Sequence, residues 1–404
     1  MYKAINIFFI VILIVLNLST AKANTIITEQ SDINRDGIIM GADRLDVISN
    51  LTKKKRVGII ANQTSVLYDG THLLDALLQV GVNVIKVLAP EHGFRGTEDA
   101  GAAIENSRDK KTNIPIVSIY GKNNKPTAAQ LSDLDILIFD IQDVGTRFYT
   151  YISTMHYAME ACAENYVEFI VLDRPNPNDY VDGPVRKTGF SSFVGVDPIP
   201  VLHGLTVGEL ARMINGEGWI STGRKSCRLL VVPMINWSHG DPYILQIKPS
   251  PNLSNDISIR LYPSLCFFEG TSISVGRGTD FPFQVLGAPN KKYGTFTFTP
   301  QSIKGMDSNP MHNGKICYGS DLREEPFEGG LSLRFVMEFF KRSGYNEKDF
   351  FTRPEWFDLL AGTNTLRQQI INGLSEEEIR KSWQNDLNEY KMIRKEYLIY
   401  NDYK

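Results

Sequence analysis

The first half of the chain switches repeatedly between two hydrophobic periods. Arg56–Ala61 (RVGIIA), Val82–Leu88 (VNVIKVL), Ile114–Tyr120, Asp135–Ile141 (DILIFDI) and Glu168–Leu172 (EFIVL) are short, largely apolar runs rich in β-branched side chains. Runs without polar alternation predict strands covered on both faces, as in a parallel sheet. Segments with helical spacing lie between them, at His72–Val80 and from about Tyr149 to Glu164. The alternation predicts an α/β architecture with a Rossmann-like parallel sheet. After about Pro300 the period becomes helical, in LSLRFVMEFFKR and from Ser375 to Tyr400. The segment SEEEIRKSW opens with a serine N-cap and acids in the first turn, where the helix dipole favours them. This last helix is expected to pack across a smaller domain and take no part in chemistry.

Open parallel sheets bind ligands beyond the carboxyl ends of their strands. After the first strand comes Asn62-Gln63-Thr64, and after the second Glu91-His92-Gly93-Phe94-Arg95-Gly96. DILIFDI ends in Asp140, Gln142 and Asp143, followed by Gly145-Thr146-Arg147, and EFIVL ends in Asp173-Arg174-Pro175-Asn176-Pro177. Each residue alone reads equally well as a loop salt bridge. Together they form a polar rim, and Asn62, Glu91, His92, Arg95, Asp140, Gln142, Asp143, Arg147, Asp173, Arg174 and Asn176 become candidate site residues. His203 precedes the capping box Thr206–Glu209 and joins them as a candidate, whereas Glu209 reads as structural.

A second polar cluster lies in Tyr262–Pro289, YPSLCFFEGTSISVGRGTDFPFQVLGAP. Glu269, Thr271, Ser274, Arg277 and Asp280 stand among Gly270, Gly276 and Gly278. Glycines there permit close backbone approach or positive φ. The bland reading is a strand and turn carrying a solvated Arg–Asp pair; the functional one is the other half of an active site.

Composition narrows the classes. Met1–Ala23 carries Lys3, an apolar run and Ala21-Lys22-Ala23, the pattern of a secretory signal without a membrane anchor. Without it the formal charge of −3 becomes −5, which argues against nucleic acid. The four cysteines show no zinc or CxxC spacing, and Cys162 and Cys266 read as buried thiols. No GxGxxG or GxxxxGK[ST] occurs, and GFSSFVG lacks the glycine spacing of a nucleophile elbow. No cofactor is expected. The histidines form no metal motif, although Glu91, His92, Asp140 and Asp143 could hold a divalent ion. Asp32–Asp43 partly matches a calcium loop but reads as a solvated turn.

The blocks RVGIIANQTS, LAPEHGFRG, DILIFDIQDVGTRFYTY, VLDRPNP, HGLTVGEL and LYPSLCFFEGTSISVGRGTDFPF resemble the exo-β-N-acetylmuramidase family, from about Gly41 to Tyr400. Leu205 stands where methionine is expected, and Ser264 where glycine is expected. The resemblance implies a Rossmann-like domain over 24–248, a smaller α/β domain over 249–404 closing a cleft, and release of N-acetylmuramic acid from non-reducing ends of peptidoglycan fragments. Its partners would be peptidoglycan-derived disaccharides or glycan chains.

Glycoside cleavage uses two carboxyl groups, and Glu91 and Glu269 are the candidates, with Glu91 as general acid/base. Attack by the 2-acetamido group, oriented by Asp140 or Asp143, is an open alternative, as is a His92–acid dyad. The lactyl carboxylate calls for arginine, whose planar fork pairs both oxygens: Arg277, Arg147, Arg95 or Arg174. Asp280 completes the candidate set. Two other classes fit the same residues, an exported metal-dependent hydrolase and a non-catalytic muropeptide- or sugar-binding protein.

Overall fold

The structure, a computed structural model, describes residues 37–94, 106–121, 124–220 and 226–403. The proposed signal, Arg95 and most of the calcium-like loop lie outside the described residues. Asp43, the last position of that loop, accepts from the backbone N–H groups of Met40 (3.0 Å) and Tyr68 (2.8 Å).

The strands are β1 (Val57–Ala61), β2 (Val84–Ala89), β3 (Ser107–Arg108), β4 (Pro115–Ser118), β5 (Ile136–Asp140), β6 (Glu168–Leu172), β7 (Val181–Asp182), β8 (Leu202–His203) and β9 (Leu229–Val232). The main sheet has the order β3-β4-β2-β1-β5-β6-β9. All neighbours run parallel except the edge strand β3. The five apolar runs supply β1, β2, β4, β5 and β6. The edge strand β9 escapes the pattern because it is only partly covered, with Leu230 39% exposed.

Successive residues of a strand face opposite sides. In β5, Ile136 and Ile138 join a core with Leu73, Leu74 and Leu77, while Leu137 and Phe139 join Met155, Met159 and Leu210 on the other face. That second core continues without interruption into Phe267, Phe268, Phe339, Phe350 and Phe357 of the C-terminal half. There, β10 (Val285–Ala288), β11 (Phe296–Phe298) and β12 (Cys317–Asp321) form an antiparallel sheet of order β10-β12-β11, accompanied by helices such as Arg334–Arg342 and Pro354–Ala361. A large, mostly parallel sheet with a second, smaller α/β part is thus the observed fold.

Two elements depart from expectation. Tyr262–Leu265 ends a helix, Asp256–Leu265, whose N-cap Asn255 accepts from the Ser258 N–H at 2.9 Å. Pro263 lies inside that helix, which tightens into a 3₁₀ turn at Cys266–Gly270. The final helical segment is two helices, Glu376–Ser382 and Gln384–Lys395, parted at Trp383. The last helix packs onto the N-terminal half: Tyr390 Oη donates to the His203 carbonyl (2.7 Å) and Arg394 Nε to that of Gly204 (2.6 Å). All four cysteines are buried and free. Among the described residues no helix is long and apolar enough to cross a membrane.

Candidate active site

Beyond the carboxyl ends of β2 and β5 lies a cleft of about 320 Å³. Its lining takes Glu91, His92, Tyr120, Thr150 and Tyr151 from the N-terminal half and Glu269, Arg277, Phe283 and Trp356 from the C-terminal half.

Glu91 sits on a turn after β2, where His92 (φ 64°) and Gly93 (φ 74°) are both left-handed. For a non-glycine residue this conformation costs about 1–2 kcal/mol, so the turn at His92 is held by its surroundings. Tyr120 Oη donates to Glu91 Oε1 at 2.8 Å and Thr150 Oγ1 to Oε2 at 2.7 Å. Tyr151 Oη donates to the Glu91 carbonyl at 3.2 Å. Hydrogen bonds to a charged group contribute about 1.5–3 kcal/mol each, enough to fix the carboxylate in one orientation. Burial, and then the Glu91 charge, push the Tyr120 phenol above its usual range, so it remains a donor at neutral pH.

Glu269 lies on the 3₁₀ turn. The turn needs Gly270, because a Cβ there would lie 2.6 Å from Phe357 Cβ. Arg277 Nη2 donates to Glu269 Oε1 at 2.7 Å, with both side chains about a quarter exposed (24% and 23%). The guanidinium stands 5.0 Å from the Phe283 ring centroid. Burial alone would lower its pKa, but the Glu269 carboxylate outweighs this and holds Arg277 charged. Cys266 also lines the cleft, and burial, then Glu269, push its thiol up, so it is no thiolate nucleophile. Thr271 and Ser274 are spent on the local turn.

The rest of the polar rim has a different fate. Asp140 is fully buried and receives Arg174 through Nε (2.6 Å) and Nη2 (2.9 Å). Gln142 donates to the carbonyls of Asp143 and Pro175. Asn62 accepts twice from Thr64, and Asn176 donates to the Leu205 carbonyl. Asp143 accepts from Gly145 N–H (2.7 Å) and faces His203 Nε2 at 3.3 Å. These contacts lie at the carboxyl ends of β1, β5 and β6, around the β1–β5 switch point where open sheets take ligands.

Arg147 is fully buried and donates to three carbonyls, those of Pro184 (2.8 Å), Ile199 (2.7 Å) and Leu360 (2.8 Å). Burial, then repulsion from Arg186, pull it down to about 9. It cannot reach a substrate, because every bond it makes is internal. Asp173 accepts from Thr206 Oγ1 (2.7 Å), Gly208 N–H (2.8 Å) and Tyr400 Oη (2.6 Å), and burial, then the Glu209 charge, raise it to about 7. Asp280 is exposed and does not line the cleft. Of the sequence candidates, Glu91, His92, Glu269 and Arg277 share the cleft.

Sequence reasoning passed over Tyr120, Thr150 and Trp356. Tyr120 closes the Ile114–Tyr120 run, so the strand-end rule applied there would have found it. Thr150 lies inside a block already quoted, but as a small hydroxyl before a helix it has no distinguishing pattern. Trp356 has no local signal at all. No group of three or more His, Cys, Asp or Glu side chains suited to hold a metal occurs among the described residues.

A parallel α/β sheet beside a smaller α/β part, with a carboxylate from each half of the chain lining one cleft, defines a candidate acid–base hydrolase. The chain belongs to the exo-β-N-acetylmuramidase NamZ family: the N-terminal family model matches residues 57–257 and the C-terminal one 260–400. It is 39% identical over 371 residues to the peptidoglycan β-N-acetylmuramidase NamZ of Bacillus subtilis (strain 168), covering 86% of this chain and 87% of that one. Two crystal structures of DUF1343 family proteins from Bacteroides fragilis NCTC 9343 share the fold. One has a TM-score of 0.83 at 43% identity and the other 0.78 at 31%, each covering 91% of this chain and 100% of its own.

Proposed function

We propose that the protein is an exo-acting glycosidase that releases N-acetylmuramic acid from non-reducing ends of peptidoglycan fragments. The observation that carries this reading is the placement of Glu91 and Glu269, distant in sequence, in the lining of one cleft. Their partners divide the roles. A carboxylate paired with a guanidinium is a poor proton donor, which suits Glu269 to charge stabilisation or attack at the anomeric carbon. Glu91 has neutral hydroxyl partners and supplies the proton to the leaving oxygen. Arg277 uses one Nη on Glu269, which leaves the rest of its fork for the lactyl carboxylate that distinguishes muramic acid from glucosamine. Phe193 and Trp356, half-buried in the cleft lining, offer apolar surface to the sugar.

We also propose a domain boundary near residues 248 and 249, and export directed by residues 1–23. N-terminal sequencing of protein secreted by a host cell should then begin at Asn24. The activity itself is tested with chromophore release from a β-muramic acid aryl glycoside, run beside the glucosamine analogue and an EDTA control. Turnover of the muramic substrate alone, unaffected by EDTA, is expected. Absence of turnover on both sugars would remove the glycosidase reading.

A further inference from the structure

Ser192, Phe193 and Val194 enter the cleft lining from a tight turn. Its ends bond reciprocally, Ser192 N–H to the Gly195 carbonyl at 3.2 Å and Gly195 N–H to that of Ser192 at 2.9 Å. The two residues at the tip part company. Val194 is buried in the core that joins the two halves of the chain, whereas Phe193 is half-buried and belongs to no hydrophobic core cluster of the described residues. Single exposed apolar side chains are common on open surface, but this ring lines a cleft.

The turn is anchored at its root. Arg186 donates from Nη2 to the Val196 carbonyl (2.9 Å) and from Nε to that of Asp197 (3.1 Å), and His156 Nδ1 pairs with the Asp197 carboxylate at 2.8 Å. Tyr157, on the helix Tyr151–Asn165 and outside the cleft lining, stacks on the Phe193 ring at 6.3 Å and 4°. A ring held in place before binding loses little freedom when a ligand arrives. Within the lining, the Tyr120 ring lies 5.9 Å from Phe193, and the Tyr120 hydroxyl is the one that donates to Glu91. Trp356, another half-buried ring of the lining, belongs with the other carboxylate. The Arg353 guanidinium stands 5.0 to 5.5 Å class contact distance from it, at 5.1 Å, and reaches the Glu269 carbonyl through Nη1 at 3.5 Å.

Position relative to the two carboxylates decides what each ring meets. A general acid protonates the oxygen that leaves, so a ring beside it meets the departing sugar, while the second carboxylate acts at the anomeric carbon of the sugar released. We infer that Phe193 is a specificity-determining residue for the leaving group. Its ring receives the apolar face of the sugar that follows N-acetylmuramic acid in the glycan chain, and Trp356 serves the muramic ring. The inference rests on the glycosidase reading above, and on Glu91 as its proton donor.

The test compares wild type with Phe193→Ala, Phe193→Leu and Phe193→Tyr on two substrates that share one glycone. These are the disaccharide of N-acetylmuramic acid β-linked to N-acetylglucosamine, and the methyl β-glycoside of N-acetylmuramic acid. Both leaving oxygens need a proton, and only the first carries a ring. Phe193→Ala should lower kcat/KM on the disaccharide about five- to tenfold more than on the methyl glycoside. Phe193→Leu keeps the bulk without the flat face and should show the same split, so the comparison stands even where the alanine variant fails to fold. Phe193→Tyr should restore the wild-type ratio. Equal falls on both substrates, which would make Phe193 a prop for Tyr120, overturn the inference, and so do variants that match wild type on both. If wild type cleaves neither substrate, the glycosidase reading fails. Calorimetric titration with the disaccharide then still decides the contact: weaker binding by Phe193→Leu than by wild type supports it, and equal binding or none refutes it.

Discussion

Glu91 and Glu269 both line the cleft. Asp140, Asp173, Asp179 and Glu209 lie a short way off, at or behind the same edge of the sheet, and the protein itself supplies their contacts. Glu209 receives the Thr206 and Ile399 N–H groups and faces His239 Nε2 at 3.1 Å, while Asp140 is locked by Arg174. The first group lines the cleft, and the second is spent on the fold. Acid type and strand-end position are common to both. Long-range partners hold both, Tyr120 and Thr150 on Glu91 as Arg174 on Asp140; what separates them is that the first group lines the cleft and the second is buried away from it.

The sharpest way to break this contrast is Asp140→Ala, which leaves Arg174 buried and uncompensated. It should cost about 3–5 kcal/mol of stability, read as loss of soluble protein or a large fall in Tm. Glu91→Gln should do the reverse, lowering turnover about 10²–10⁴-fold with Tm and circular dichroism unchanged. A Glu91→Gln protein that unfolds would place Glu91 with the structural group.

A pH titration probes the buried set more gently. Burial alone would lower His239, but Asp179 and Glu209 overcome this and raise it to about 9 from 6.5. A raised folded pKa means that stabilisation is complete below pH 6.5 and disappears as pH climbs through 9, a loss of about 3 kcal/mol. Asp173, raised to about 7, acts in the same direction from 3.8 upward. Wild-type Tm should therefore fall between pH 6.5 and 9, and His239→Gln should flatten that segment. The smallest effect belongs to Tyr120→Phe. It removes one donor from Glu91, so kcat should drop only about five- to tenfold with KM unchanged. A change confined to KM would show that Tyr120 contacts substrate instead.

Much of the fold was legible because five strands are continuous apolar runs, buried on both faces, that no helix period imitates. The capping box at Thr206–Glu209 and the N-cap at Ser375 were equally local, and both form. The site was legible only as a pool of residues. Arg147, Arg174 and Arg277 have similar glycine- or acid-rich neighbourhoods, yet one ends on three carbonyls, one on Asp140 and one in the cleft. Nothing within a few residues of Asp173 announces that Tyr400, 227 positions later, will donate to it. The helix at Tyr262–Leu265 was missed because Pro263 and the aromatic residues suggest an extended segment, whereas the Asn255 cap initiates the helix upstream of them.

That partnership between Asp173 and the tail also sets the order in which the molecule is completed during synthesis. The sheet carrying Asp173 and the helix carrying Glu209 emerge from the ribosome well before Ile399 and Tyr400, which satisfy both acids. Until Ile399 and Tyr400 are released, the earlier half holds two carboxylates without their closing donors. The N-terminal half is therefore completed only then, and deleting that short segment would be felt at the carboxyl end of β6.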